Sequence, residues 1–205
     1  MGLIDRETRR DLYLRMSQNN LERQFSLLTD MVRVGIEIPR FKVNLHIIRS
    51  LNSIATTHLV EQPGAFRSEP AFITGSEHVP ADPQEILNLI NNLIVELHES
   101  WDEENAFHLA AIVLWKLVWI HPFDDGNGRT ARALAFLVVS LKYKILLFGS
   151  KSFTSFLRDD YANHYIDGIR HADRTFAMGK VDLLPLAELL AEIVVLQLSS
   201  RVRTY

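Results

Sequence analysis

Cysteine is absent from the sequence, so disulfides and thiolate metal sites are unavailable to it. That fits a reducing compartment, and cytoplasmic residence is the expectation. Long hydrophobic runs are also missing. The most apolar stretch, Ala106 to Ile120, is interrupted by His108 and Lys116 and falls short of the roughly 18 residues a membrane span needs. The beginning, Met1-Gly2-Leu3-Ile4-Asp5-Arg6, has no apolar segment of the signal-peptide kind, and no Ser or Thr follows Met1-Gly2 in the myristoylation position. Nor does charge of one sign dominate: 22 Lys and Arg against 25 Asp and Glu give −3. Neither nucleic acid nor an acidic membrane is therefore expected as partner. The eight histidines include no H-x-x-x-H or H-E-x-x-H, which leaves a zinc site unsupported.

Repeats, low-complexity tracts and dividing linkers are lacking too. With 205 residues, 47% of them apolar, a single domain over residues 1–205 with one core is expected. Residues 1–60 read as N-terminal helices. Leu21, Phe25, Leu28 and Val32 recur at helical spacing, Gly35 is a candidate stop, and Pro39 breaks the chain. Leu45, Ile48, Leu51 and Ala55 mark another helix. Residues 61–81 differ in kind. Ala71-Phe72-Ile73, Thr74-Gly75-Ser76 and Glu77-His78-Val79 can make a short hairpin about the glycine, or an ordinary connecting loop, with His78 a solvated loop residue. The core then occupies 82–205. Asp82-Pro83-Gln84-Glu85 is a helix start with cap, Pro and Glu in place. Ile86, Leu87, Leu89, Ile90, Leu93, Ile94 and Leu97 follow as its apolar face. Ala106–Ile120 and Ala133–Leu141 read as buried core helices, the second closed by Tyr143-Lys144 and Gly149. Further helix lies in 151–172, and Asp182–Arg203 is a last amphipathic helix built on Leu183, Leu186, Leu190, Ile193 and Val194. The fold class read from these segments is all-α, with about six to eight helices and, at 71–79, a short β-hairpin or a loop.

Between the two core helices stands the polar stretch His121-Pro122-Phe123-Asp124-Asp125-Gly126-Asn127-Gly128-Arg129-Thr130-Ala131-Arg132. Taken singly, its members are ordinary: a histidine that caps a helix, a Gly-Asn-Gly turn, an arginine pair on a solvated face. Together they converge on one anion. Gly126, Asn127 and Gly128 can turn successive amides toward it, and a helix starting near Arg129 adds its positive end. Arg129 and Arg132 share a helix face and carry forks suited to phosphate oxygens. Asp125 is a hard ligand of the kind Mg²⁺ accepts beside phosphates. His121, with a pKa near ~6.5 by default, can take a proton from an attacking hydroxyl. Phe123 is expected to anchor the loop inward. Such parts describe phosphoryl or nucleotidyl transfer.

Two competing motifs fail. Gly126-x-Gly128-x-x-Ala131 has the dinucleotide-binding spacing, but a helix precedes it and no Asp or Glu lies between Asp125 and Asp159. Gly179-Lys180 is followed by Val181 and belongs to no Walker loop.

Residues 121–132 resemble the signature H-P-F-x-(D/E)-G-N-G-R-x-x-R of the Fic family at every specified position. The resemblance implies a compact Fic-type helical bundle with a β-hairpin flap over 61–81, entered by Pro63-Gly64-Ala65-Phe66-Arg67 and left by Val79-Pro80. It implies transfer of AMP from ATP, with Mg²⁺, to a Ser, Thr or Tyr hydroxyl of a target protein. His121 would then be the base and Asp125 the Mg²⁺ ligand. Gly126, Asn127 and Gly128 would cradle the α-phosphate, Arg129 the β-phosphate and Arg132 the γ-phosphate. Tyr161 and Tyr165 are candidates to enclose the nucleobase. The target protein would dock on the flap residues Phe72, Ile73, Thr74 and Gly75. Removal of AMP, transfer of UMP or GMP, and a non-catalytic nucleotide-binding module of toxin–antitoxin type remain as alternatives.

Many Fic proteins carry a restraining (S/T)-x-x-x-E-(G/N) helix. Here only Ser100 to Asn105 fits it, with Glu104 as its acid. A helix rise of about 1.5 Å per residue sets Glu104 some ~25 Å from His121, so the match reads as accidental. A small inhibitory antitoxin-like partner, a homo-oligomer or no restraint at all are the options left open.

Overall fold

The computed structural model describes residues 6–38, 41–147 and 151–199. Among them are eight α-helices and no strand. The all-helical architecture expected from the apolar periodicities is therefore what forms.

Helix α1 (Arg6–Glu37) is a single 32-residue rod. It does not stop at Gly35. A β-carbon there would stand 2.3 Å from Leu141 Cδ2 and 2.9 Å from Phe41 Cδ1, so this glycine serves close packing inside the helix. The end at Glu37 precedes Pro39, which lies outside the described residues. Helix α2 (Leu45–Thr56) starts where the Asn44 side chain accepts from the amide of Ile47 at 3.1 Å, satisfying a first-turn donor. Two buried amides of α1 fasten the pair. Asn20 Nδ2 donates to Thr57 O and Gln24 Nε2 to Leu51 O, both at 2.8 Å.

The Asp82 cap forms as its residues demand, accepting from the Gln84 amide, though its first turn is a 3₁₀ turn, Pro83–Glu85. Helix α3 (Ile86–Glu99) follows and buries Ile86, Ile90, Leu93 and Leu97. Leu87 is 49% exposed, so the buried face is narrower than the run of leucines and isoleucines suggests. Glu104 sits in the turn before α4 (Ala106–Ile120), whose cap is Asn105. A full 15-residue helix separates it from His121.

Helices α4 and α5 (Asn127–Tyr143) form the centre. Ten residues of α4 and twelve of α5 are buried, with Ala110, Ala111, Ala131, Ala133 and Ala135 allowing a close approach. Around this pair pack α1, α2 and α3, then α6 (Phe153–Arg158), α7 (Ala162–Ala177) and α8 (Leu184–Ser199). The expected C-terminal helix buries Leu183, Leu186, Leu190, Ile193 and Val194 at its start and core; its run to Arg203 lies outside the described residues, as does Gly149. Lys144, in the left-handed region at φ 53°, closes α5.

The expected hairpin at 71–79 is not a hairpin. Its turn exists: Ser76 N donates to Ile73 O at 3.1 Å, and Gly75 has φ 77°. The arms, however, are held by other elements rather than by each other. Arg170 of α7 donates to Gly75 O, and His78 Nε2 bonds Trp119 O at 2.7 Å with its ring 5.3 Å from that indole. His78 is therefore packed on α4 rather than solvated.

Candidate functional site

The α4–α5 connection is six residues long, and its geometry follows from two left-handed residues. His121 ends α4 at φ 52°, ψ 58°, with its N–H on Leu117 O. For a residue with a β-carbon this conformation costs about 1–2 kcal/mol, so surrounding contacts must hold it. Gly126 opens α5 at φ 79°, where a β-carbon would meet Thr56 Cγ2 at 2.6 Å and Asn52 Nδ2 at 2.9 Å.

Between them the loop closes on Asn127. Its Oδ1 accepts from Phe123 N at 2.9 Å and its Nδ2 donates to Phe123 O at 2.7 Å. The Asn127 side chain is thus used inside the protein, and only its amide is left to face a ligand. Phe123 points inward as expected, 1% exposed, with its ring 5.4 Å from Phe66. Asn52 of α2 braces the loop from behind: Nδ2 donates to Asp125 O at 2.9 Å and to Thr130 Oγ1 at 3.2 Å, while Oδ1 accepts from Gly64 N. Gly126 brings no capping side chain, so the first amides of α5 have no intrahelical partner and point out of the helix end.

The charged members divide into two environments. Asp125 Oδ2 meets Arg129 Nη2 at 2.8 Å and accepts from the Tyr13 hydroxyl at 2.8 Å; Oδ1 accepts from Gly126 N. Burial works against the charge on Asp125. The bond and charge of Arg129, then Tyr13 and Gly126, outweigh it and hold the carboxyl below its ordinary value. Arg129 also donates to Ser17 Oγ and to Ala55 O. Arg132 is different. Among the described residues no carboxylate pairs with it; its guanidinium faces the Tyr165 phenol and lies 3.2 Å from where a Gly128 β-carbon would be. Burial lowers its pKa first, Tyr165 opposes this, and Arg158 and Arg129 add repulsion. Tyr165 itself is pushed up by burial, against the pull of Arg132, and so stays a neutral partner.

His121 is half-buried. Its Nδ1 is enclosed and meets no partner in hydrogen-bonding geometry, although the Val118 carbonyl tends to raise its pKa. Burial prevails, helped by Arg67 and His78, and the ring titrates below the ordinary 6.5. Arg67, 3% exposed, sits beneath it. Its guanidinium donates to the carbonyls of His121, Glu69, Ala81 and Ile120, and its own amide to Pro122 O.

These groups open on a cavity of about 380 Å³ lined by His121, Asp125, Gly126, Gly128, Arg129 and Arg132, with Asn127 and Arg158 at its wall and Tyr13 of α1 across it. A second cavity of about 440 Å³ lies between Ile73–Ser76, Trp119 and α7. Tyr165 lines the second and touches Arg132 of the first. Tyr161 lines neither; its hydroxyl donates to Glu192 Oε1 at 2.9 Å. Of the flap residues, Ile73, Thr74 and Gly75 face the second cavity and Phe72 is 89% exposed. Tyr13, Asn52 and Arg158 had no local signal in the sequence. Arg67 had one, the Pro-Gly-x-x-Arg stretch. Among the described residues no cluster of three His, Asp or Glu is placed to hold a metal, so a cation here would rest on Asp125 and on ligand oxygens.

An all-helical core with an anion-facing helix end, a half-buried histidine and two arginines defines the class. Residues 42–139 match the sequence model of the Fic/DOC family. It is similar to a protein named protein adenylyltransferase Fic from Nematostella vectensis, 32% identical over 126 residues, 53% of this chain and 28% of that protein. A protein of the same name from Aedes aegypti is 42% identical over 77 residues, 35% of this chain and 14% of that one. The aligned parts thus span under a third of these relatives. In fold the chain is similar to a Fic-domain-containing signaling protein from Bacteroides thetaiotaomicron, with TM-score 0.70, 20% identity, and coverage of 97% of this chain and 73% of that one. A Fic family protein from Desulfovibrio desulfuricans superposes at TM-score 0.62 and 20% identity, over 98% and 67% of the two chains. No helix of the described residues is long and apolar enough to cross a membrane.

Proposed function

We propose that this protein is a protein adenylyltransferase that moves AMP from ATP to a Ser, Thr or Tyr hydroxyl of a target protein. The observation that carries this reading is Arg132, a partly buried cation with no carboxylate paired to it among the described residues, beside the open amides of α5 and in one cavity with His121. A cation partly withdrawn from water is stabilised by an anion, and a neutral imidazole at the same cavity supplies a base.

In this reading the free amides of Asn127 and Gly128, with Gly126 shaping the turn and its N–H freed if Asp125 turns to a cation, hold the α-phosphate, while Arg129 and Arg132 take the β- and γ-phosphates. His121 removes the proton of the target hydroxyl. That oxygen bonds the α-phosphorus, the bond to the bridging oxygen breaks, and pyrophosphate leaves with the electron pair. The lowered His121 pKa keeps the ring neutral, and so able to accept the proton, at neutral pH. Asp125 is the carboxylate that the described residues bring to the cavity, and it suits Mg²⁺ shared with phosphates. Bound there, the cation would neutralise charge on the leaving pyrophosphate. The cavity under Ile73–Gly75, walled by Trp119, Ile169 and Tyr165, suits the nucleobase or the target side chain. Exposed flap backbone would align an extended target segment.

Incubation with α-labelled ATP and candidate target lysate tests this. Label should enter protein, appear as an AMP adduct in the mass spectrum, and vanish in His121→Ala while the helical circular dichroism persists. Label entering from γ-labelled ATP instead would make it a kinase and overturn the reading.

A further inference from the structure

The cavity holds a third guanidinium. Arg158, the last residue of α6, lines it together with Arg129 and Arg132 and is close enough to Arg132 to repel its charge. We propose that Arg158 is a phosphate-binding residue that closes on the terminal phosphate alongside Arg132. This rests on reading the cavity as a triphosphate site and adds a recognition element outside the 121–132 stretch.

The charges of the cavity argue for it. Arg129 is matched by Asp125 at 2.8 Å. Among the described residues Arg132 hydrogen-bonds the neutral Tyr165 and forms no ion pair, while the Asp159 carboxylate acts on it only at longer range. Arg158 is paired with its neighbour Asp159, Nε to Oδ1 at 2.7 Å and Nη2 to Oδ2 at 2.9 Å. Among the described residues, three cations therefore line a cavity to which Asp125 alone brings a carboxylate. A single phosphate at the helix end would leave part of that charge unmatched, whereas a chain of phosphates running from Gly128 toward α6 would match it.

The Asp159 pair does not lock Arg158 away. The Arg158 and Asp159 side chains are 39% and 42% exposed, and a pair that open contributes little. A phosphate offers the same bidentate geometry with more charge. The exchange also leaves no orphan. Lys151 Nζ lies 3.8 Å from Asp159 Oδ2 and keeps that carboxylate paired once Arg158 turns inward. Asp160 bonds Lys151 as well, so the Lys151–Asp159–Asp160 group persists with or without the arginine. Because α6 is a short helix at the edge of the core, anchored by buried Phe153 and Leu157, its last residue can change rotamer without disturbing packing.

Isothermal titration of the full chain with Mg-ATP and, separately, with AMP tests the proposal. Losing one bidentate contact to a charged group corresponds to roughly tenfold. Arg158→Ala should weaken ATP binding by about that factor and leave AMP binding within about twofold, because AMP has no terminal phosphate to lose. Asp159→Asn, which releases the guanidinium, should bind ATP as tightly as wild type or more so. Arg158→Ala with wild-type ATP affinity overturns the proposal while leaving the site's triphosphate reading intact. Equal weakening of ATP and AMP, or a loss in Asp159→Asn matching that in Arg158→Ala, overturns it too, since either would make Arg158 a structural or diffuse electrostatic residue. Wild-type protein that binds AMP but gains nothing from the further phosphates removes the triphosphate reading itself.

Discussion

Arg67 Nε donates to the main-chain oxygen of His121 at 2.7 Å, while the same guanidinium holds Ala81 O and Glu69 O at the two ends of the flap. One buried cation therefore ties the flap base to the residue proposed as base. Its fork also stabilises the left-handed conformation at which α4 ends and from which the imidazole projects.

This link has a pH signature. His121 titrates below 6.5 because burial disfavours the imidazolium, with Arg67 and His78 adding to it and Val118 and Asp125 opposing. The neutral, competent form is lost as pH falls through the lowered value, so the acid limb of kcat/KM should have its midpoint below 6.5. Arg67→Met removes one lowering charge and should move that acid limb upward while reducing kcat. Arg67→Lys, which keeps the charge without the fork, should leave the limb near wild type but still lose rate. Variants that unfold more easily yet share the wild-type limb would limit Arg67 to scaffolding.

Tyr13 reaches across 112 residues to accept a role at Asp125, its hydroxyl donating to Oδ2 at 2.8 Å. A cation and this phenol compete for the same oxygen, because a lone pair used in the hydrogen bond is turned from the metal. Removing the hydroxyl should therefore favour the metal. Tyr13→Phe is expected to lower the Mg²⁺ concentration for half-maximal labelling by about threefold to tenfold, the equivalent of one modest hydrogen bond. Titration of activity against Mg²⁺ reads this directly. An unchanged or higher requirement would mean that Tyr13 orients Asp125 for the cation instead of obstructing it.

What the sequence disclosed and what it hid divide along chain distance. His121 to Arg132 is one contiguous stretch between two apolar helices, so its converging chemistry could be read without a fold. The Asp82 cap and the periodic faces of α2 and α8 were likewise local. The braces were not. Tyr13 and Asn52 reach the loop from far along the chain, and no pattern of neighbours encodes that meeting; Arg67 was marked by its Pro-Gly-x-x-Arg stretch, but its bond to His121 was not. Inside the motif, the inward turn of the Asn127 side chain, with both its polar groups spent on Phe123, is a detail that the reading of its main-chain amide did not contain. The flap failed for a related reason: its turn glycine is a local signal, whereas the alternatives to strand pairing, Trp119 and Arg170, belong to other helices.

Gly35 shows how a helix-stop signal can be a packing signal. Alanine would normally favour a helix interior over glycine by about 0.5–1 kcal/mol. Here its β-carbon would lie 2.3 Å from Leu141 Cδ2 and 2.9 Å from the Phe41 ring. Overpacking of this order costs about 1–3 kcal/mol and should prevail. Gly35→Ala is expected to lower the urea midpoint, and Leu141→Ala in the same chain should recover part of the loss by vacating the space. A midpoint raised by Gly35→Ala alone would show that α1 and α5 can separate freely.

Gly126 and Gly75 share nearly the same φ, 79° and 77°, and differ in what surrounds them. An alanine at either costs about 1–2 kcal/mol for the left-handed conformation. At Gly75 nothing lies within 4 Å, so the cost ends there and falls on a surface turn that can relax. At Gly126 the new methyl meets Thr56 Cγ2 at 2.6 Å and Asn52 Nδ2 at 2.9 Å, and Asn52 is the side chain bracing Asp125 O and Thr130. Gly126→Ala should therefore lose about 2–4 kcal/mol of stability together with nucleotide binding, because the brace and the helix end move as one. Gly75→Ala should lose about 1 kcal/mol or less and keep ATP affinity. Chemical denaturation and titration calorimetry on the two variants separate the terms. Equal losses of stability would mean that backbone strain alone sets the cost and that the contact with α2 is slack.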